Sequence, residues 1–146
     1  MEKEVPDLAS LRSIAKEIVE NIEPTHHATL ITLSGELGAG KTTLSQMIGK
    51  ELGVEETMVS PTFVLEKIYN LDGTHGFRKL IHIDAYRLTK GEELMALGFE
   101  ELLKDASHLI LLERPEMVGE ALPKADKAIT LRVTEDGKRI YSEAYE

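Results

Sequence analysis

The chain has 146 residues, 42% of them hydrophobic and 29% charged, with a formal net charge of −9 and no cysteine. That length suits one compact domain over residues 1–146, and the balance of apolar and charged residues is that of a soluble globular protein rather than a disordered one. The missing cysteines exclude disulfides, thiolate metal sites and cysteine nucleophiles and suit a reducing cytoplasm, while the negative charge opposes direct binding to a polyanion such as RNA.

The acidic start MEKEVPD is unlike a signal peptide, and no segment approaches the roughly 20 apolar residues of a membrane span, so a cytoplasmic location is expected. Leu8, Leu11, Ile14, Ala15, Ile18 and Ile22 then recur at helical spacing behind Pro6 and Asp7, predicting an amphipathic helix with Asp7 as its cap. ATLITLS, Ala28 to Ser34, is a short apolar, β-branched run that breaks into glycines at Gly35, as a buried strand feeding a loop would. Leu44, Met47, Ile48 and Leu52 return to helical spacing and stop at Gly53.

Further along, FVLEKIY (Phe63 to Tyr69), KLIHID (Lys79 to Asp84) and HLILLE (His108 to Glu113) read as strands, the first two joined by an LDGTHG hairpin turn. Short helical pieces are expected around Glu92 to Leu97 and Phe99 to Leu103. At the end, KAITLRV and RIYSEAY flank Asp136-Gly137, a strong turn signal for an antiparallel pair. The expectation is an α/β layered fold of P-loop type: a central mixed, largely parallel sheet flanked by helices, with a C-terminal antiparallel strand pair.

Between the first long strand and its helix stands GELGAGKTT, Gly35 to Thr43, in which Gly35, Gly40, Lys41 and Thr42 satisfy GxxxxGK[ST]. Glycines let backbone N–H groups turn toward phosphates, Lys41 neutralises charge on the β- and γ-phosphates, and the Thr42 hydroxyl can ligate magnesium. The loop residues Glu36, Leu37, Gly38 and Ala39 complete the cradle, and Thr43 can place a hydroxyl near the α-phosphate. A mere tight turn would leave the lysine and hydroxyl unexplained.

A phosphate loop needs a carboxylate at the end of a neighbouring strand, and two qualify: Asp84 after LIHI and Glu113 after LILL. One would hold magnesium, directly or through water, and the other would orient or activate the attacking water; the sequence leaves open which does which. Ser60-Pro61-Thr62 offers a hydroxyl on a loop before a strand, where Thr62 could sense the γ-phosphate. His82 shares the strand face of Asp84 at period two and reads as a core histidine, and the five histidines show no metal-ligand spacing with carboxylates.

With GELGAGKTT, SPTF, HIDAYRL, GFEELL and LLERPE in this order, nearly the whole chain resembles the TsaE family, also called YjeE. Members are small bacterial P-loop ATPases needed to make threonylcarbamoyladenosine in tRNAs. The resemblance implies that Thr42 and Glu113 serve the magnesium ion of bound ATP, that Asp84 supports hydrolysis, and that Ser60 and Thr62 form a switch-like loop. It also implies an accessory ATPase acting on the TsaD and TsaB proteins, with tRNA reached only through that complex. Where the family commonly reads EWPE, this chain has Glu113, Arg114, Pro115 and Glu116 and no tryptophan at all. Arg114 is expected to be solvated, with Glu116, an acidic partner or a phosphate as other possible contacts. The family's threonine on the first helix falls near Ser10 and Leu11, where no contact is assigned.

Three other functions share these motifs. A small-molecule kinase would need an arginine-bearing lid, which Leu88 to Ala106 does not supply. PKAD, Pro123 to Asp126, lacks the asparagine or threonine of a guanine-reading motif. An ATP-dependent assembly clamp with incidental hydrolysis would carry every residue named. No arginine finger stands out in the sequence, so slow turnover alone and stimulation by partners are expected.

Overall fold

The computed structural model describes residues 2–36, 38–56, 58, 66–88 and 90–144. Strand β1 (Glu2–Glu4) is followed by helix α1 (Leu8–Asn21), β2 (Thr29–Gly35), α2 (Lys41–Glu51), β3 (Glu66–Asn70) and β4 (Lys79–Asp84). Two short helices, α3 (Gly91–Met95) and α4 (Phe99–Leu103), lead to β5 (His108–Glu113), and β6 (Lys127–Val133) and β7 (Arg139–Ala144) close the chain. Among the described residues the strands form one seven-stranded sheet in the order β1-β7-β6-β2-β5-β4-β3. The four central strands, β6, β2, β5 and β4, run parallel, while β3 and the β7-β1 pair add antiparallel edges.

β4 and β5 are apolar almost throughout because both their faces are covered, whereas β6 alternates buried and exposed residues. Leu109 and Leu111 of β5 point into a core with Ile31, Leu33, Leu44 and Ile48, roofed by α1 and α2. Ile110 and Leu112 point the other way, toward Ile81, Ile83, Leu94 and Phe99 under α3 and α4. Asp7 caps α1 as expected, its Oδ1 accepting from the Ser10 amide at 2.8 Å. The Asp136-Gly137 turn joins β6 to β7, with Gly137 at φ +82°.

β1 is an element the sequence does not announce. Its three residues, all charged, show no alternation, and its place follows from backbone pairing with β7 and from ion pairs of Lys3 with Glu17 (2.8 Å) and Glu2 with Arg132 (3.6 Å). The expected strand at Phe63 to Tyr69 is described only from Glu66 onward; Phe63, Val64 and Leu65 lie outside the described residues.

Register fixes the functional edge. Asp84 is paired with Glu113, and Glu113 with Leu33, so β4, β5 and β2 finish level and the loop after Gly35 emerges at the same carboxyl-terminal edge. Ligands bind at that edge in sheets of this kind. Period-two alternation turns His82, Asp84 and Glu113 to the α1 and α2 side, beneath the loop.

Candidate functional site

The loop begins at a point of close backbone approach. Gly35 has φ +143°, and a Cβ there would run into the Leu131 carbonyl of β6. The Ala39 amide bonds the Glu36 carbonyl (3.1 Å), and Gly40, at φ +104°, opens α2 without any side-chain cap. The first amides of this 11-residue helix therefore present N–H groups to an anion.

Lys41 is buried, and its Nζ donates to the carbonyls of Gly35 (2.5 Å) and Glu36 (2.9 Å). Burial, reinforced by the charge of Arg114, pulls its pKa below the usual lysine range. One residue on, the Thr42 hydroxyl donates to Glu113 Oε1 at 3.0 Å. Glu113 is 1% exposed, and its other oxygen, Oε2, accepts from His82 Nε2 at 2.5 Å. The ring's Nδ1 is buried without a hydrogen-bond partner. Spacing along the chain does not pair His82 with Glu113, because the two meet across two paired strands rather than along one.

Asp84, level with Glu113, caps a 3-10 turn at Ala85–Arg87 by accepting from the Tyr86 amide at 2.9 Å. Burial raises its pKa above the ordinary carboxylate value, and the Tyr86 amide bond opposes that shift. Arg114 is not the solvated arginine expected from the sequence. Its side chain is 17% exposed, with Nε 3.4 Å from Asp84 Oδ1 and the guanidinium carbon 5.0 Å from the centre of the Tyr86 ring. The half-turn after β5 folds the arginine back over the strand ends, where Asp84 and Tyr86 attract it.

Lys41, Thr42, Glu113 and Arg114 line a pocket of about 370 Å³. Val5, just before α1, and Leu8 and Leu11 in its first turn add an apolar ledge to the same pocket, and Arg139 reaches in from β7 to the Gly38 carbonyl (3.4 Å). None of these four was singled out from the sequence as a site residue. They arrive because β1 pairs with β7 and so brings the first turn of α1 beside the loop. A larger, more open groove of about 820 Å³ on the opposite face of β2, β6 and β7 is lined by small side chains such as Thr32, Ser34 and Thr130 and by the charged Glu116, Lys124 and Glu143.

The family model described as "Threonylcarbamoyl adenosine biosynthesis protein TsaE" matches residues 5–141. The chain belongs to the TsaE family. It is 32% identical over 138 residues to the tRNA threonylcarbamoyladenosine biosynthesis protein TsaE of Haemophilus influenzae, a match covering 93% of this chain and 84% of that one. It is 36% identical over 132 residues to the TsaE protein of Rickettsia prowazekii, covering 90% and 85%. The crystal structure of Bacillus subtilis YdiB superimposes with a TM-score of 0.76 at 27% identity, covering all of this chain and 86% of that one.

Within this TsaE family member the structure brings together Gly35, Glu36, Gly40, Lys41, Thr42, Asp84 and Glu113, with Gly38, Ala39 and Thr43 lining the same pocket. Leu37, Ser60, Pro61 and Thr62 lie outside the described residues. Among the described residues no group of three His, Asp or Glu is placed to hold a metal by itself, and no helix is long and apolar enough to cross a membrane.

Proposed function

We propose that this chain binds ATP with magnesium and hydrolyses it as an accessory step in making threonylcarbamoyladenosine in tRNAs, acting on the TsaD and TsaB proteins. The observation that carries the reading is the contact of the Thr42 hydroxyl with Glu113 directly beside the buried Lys41 ammonium. A hydroxyl and a carboxylate on adjoining elements are hard oxygen donors of the kind magnesium takes, and one or two protein ligands beside substrate phosphates are its usual complement. The fit extends to the loop: Lys41 is satisfied by two loop carbonyls that phosphate oxygens can replace, and a Cβ at Gly38 would point into open space.

Each residue then has a task. Amides of the loop and of the first turn of α2 hold the phosphates, with Lys41 as the cation between them. Thr42 and Glu113 hold the magnesium ion, and His82 fixes the Glu113 carboxylate through Oε2. When bound, the ion supplies neutralisation of charge on the β- and γ-phosphate oxygens. Asp84 orients the attacking water and accepts its proton at a carboxylate oxygen, a task suited to a carboxylate whose burial has raised its basicity. Val5, Leu8 and Leu11 offer the base an apolar seat, and 370 Å³ lies within the range of small-ligand pockets.

Turnover by the isolated chain is slow and the partner pair accelerates it, as in P-loop NTPases whose stimulating group arrives with a partner. The net charge of −9 accords with tRNA being held by the partners. The test is magnesium-dependent ATP hydrolysis by the protein alone and with TsaD and TsaB added. Strong stimulation supports the accessory ATPase; tight ATP binding with no stimulation turns the reading into an assembly clamp.

A further inference from the structure

Arg114 is the one described non-glycine residue with a left-handed backbone, at φ +63° and ψ +55°. That conformation is costly for a residue with a Cβ, and more so before Pro115. It is nonetheless anchored, because the Arg114 amide extends the sheet by bonding the Leu33 carbonyl at 2.9 Å. The consequence is to throw the side chain across the ends of β4 and β5, into the pocket that holds Lys41 and Thr42.

Once there, the guanidinium is poorly satisfied. Its Nε lies 3.4 Å from Asp84 but is buried without a hydrogen bond, and among the described residues no hydrogen bond forms from its terminal nitrogens. An arginine stays charged at any working pH and carries five donors in a rigid fork. Tyr86 supports one face of that fork and Asp84 faces its Nε edge. A permanently charged, supported and under-bonded fork beside a phosphate loop is a receptor for an anion larger than the loop alone accommodates.

We propose that Arg114 contacts the terminal phosphate of the bound nucleoside triphosphate and so makes the site prefer triphosphate over diphosphate. The inference rests on the nucleotide site proposed above and adds to it a residue that distinguishes the two nucleotide states. If Arg114 merely braced Asp84 and Tyr86, its loss would weaken both ligands alike.

The experiment is calorimetric titration of the protein, with magnesium, by a non-hydrolysable ATP analogue and by ADP. Arg114→Gly suits it, since glycine accepts the left-handed backbone while removing the side chain, and thermal midpoints confirm folding. The analogue should bind about tenfold or more weakly to Arg114→Gly, with ADP changed less than about threefold, and Arg114→Lys should recover part of the difference. Equal loss of both ligands, or loss of neither, would overturn the proposal. Lys41→Ala separates the two readings. If wild type binds neither ligand, the nucleotide site falls and Arg114's role with it; if Lys41→Ala loses both ligands while Arg114→Gly keeps the wild-type preference, the site stands and Arg114's role alone is overturned.

Discussion

His82 and Glu113 face each other from adjacent parallel strands, Nε2 2.5 Å from Oε2, both essentially without solvent exposure. The other Glu113 oxygen accepts from Thr42, so a chain of contacts runs from the core of β4 through Glu113 to the first turn of α2. The glycine loop is thereby tied to the sheet through a carboxylate whose orientation is set from below.

Removing the histidine should cost both stability and magnesium response. His82→Ala leaves a buried carboxylate short of a donor and opens a cavity, which should lower stability by about 2–4 kcal/mol. His82→Gln, which can still donate near the Nε2 position, should recover part of it. Urea unfolding of both variants, with magnesium titrations of nucleotide binding, checks this; a wild-type midpoint in His82→Ala would rule out the bracing role.

Lys41 and Glu113 should fail differently. Lys41→Ala removes the ammonium now bonded to the Gly35 and Glu36 carbonyls and should weaken ATP binding by roughly 10–100-fold or more. Glu113→Ala should spare magnesium-free nucleotide binding to within a few-fold while abolishing the gain from added magnesium and the hydrolysis. Fluorescent-nucleotide titration with and without magnesium distinguishes them, and identical profiles for the two variants would contradict the division of roles.

Asp84 sets a pH dependence on the nucleotide-free protein. Because burial raises its pKa on folding, the folded chain holds a proton that the unfolded chain has already released between the two pKa values. Stability therefore falls as pH rises from the unfolded carboxylate value, about 3.9, through the raised folded one, and the full cost is present above that. Asp84→Asn keeps an acceptor for the Tyr86 amide without the charge. With a chelator present it should melt above wild type near pH 7.5, by an amount that shrinks toward pH 4, and hydrolysis should be lost. A gap between the two melting curves that does not narrow on acidification would refute the charge-burial account.

The two ends of the glycine loop should respond to different insults. Gly35→Ala sets a methyl against the Leu131 carbonyl and should cost about 1–3 kcal/mol of stability even without nucleotide. Gly38 has open space around it, so Gly38→Ala carries only the strain of φ +82°, about 1–2 kcal/mol, and should act chiefly on phosphate binding. Thermal melts paired with ATP titrations would show it; a stable Gly35→Ala would mean that β2 and β6 separate more easily than their register suggests.

Much of the architecture was legible in the chain. β4 and β5 fall on the expected KLIHID and HLILLE, since strands buried on both faces must be short unbroken apolar runs, and α1 announces itself by its stripe and Asp7. β1 was not legible because its three charged residues are held by the edge of β7 rather than by any burial pattern of their own. The same contact makes the apolar ledge of Val5, Leu8 and Leu11: along the chain Leu8 and Leu11 read only as the stripe of a helix, and the edge strand brings them to the loop.

The sequence by itself determined the chemistry available to this protein. Spacing within GELGAGKTT binds lysine, hydroxyl and amides to one loop, because a strand–loop–helix junction leaves their relative positions little freedom. Only the tertiary structure decided the contacts between strand ends: Glu113 with His82, and Arg114 with Asp84 and Tyr86 rather than with water. Those depend on the register of β4 against β5 and on one left-handed residue at a strand end, which arise from hydrogen bonding between distant segments and leave no local mark in the chain.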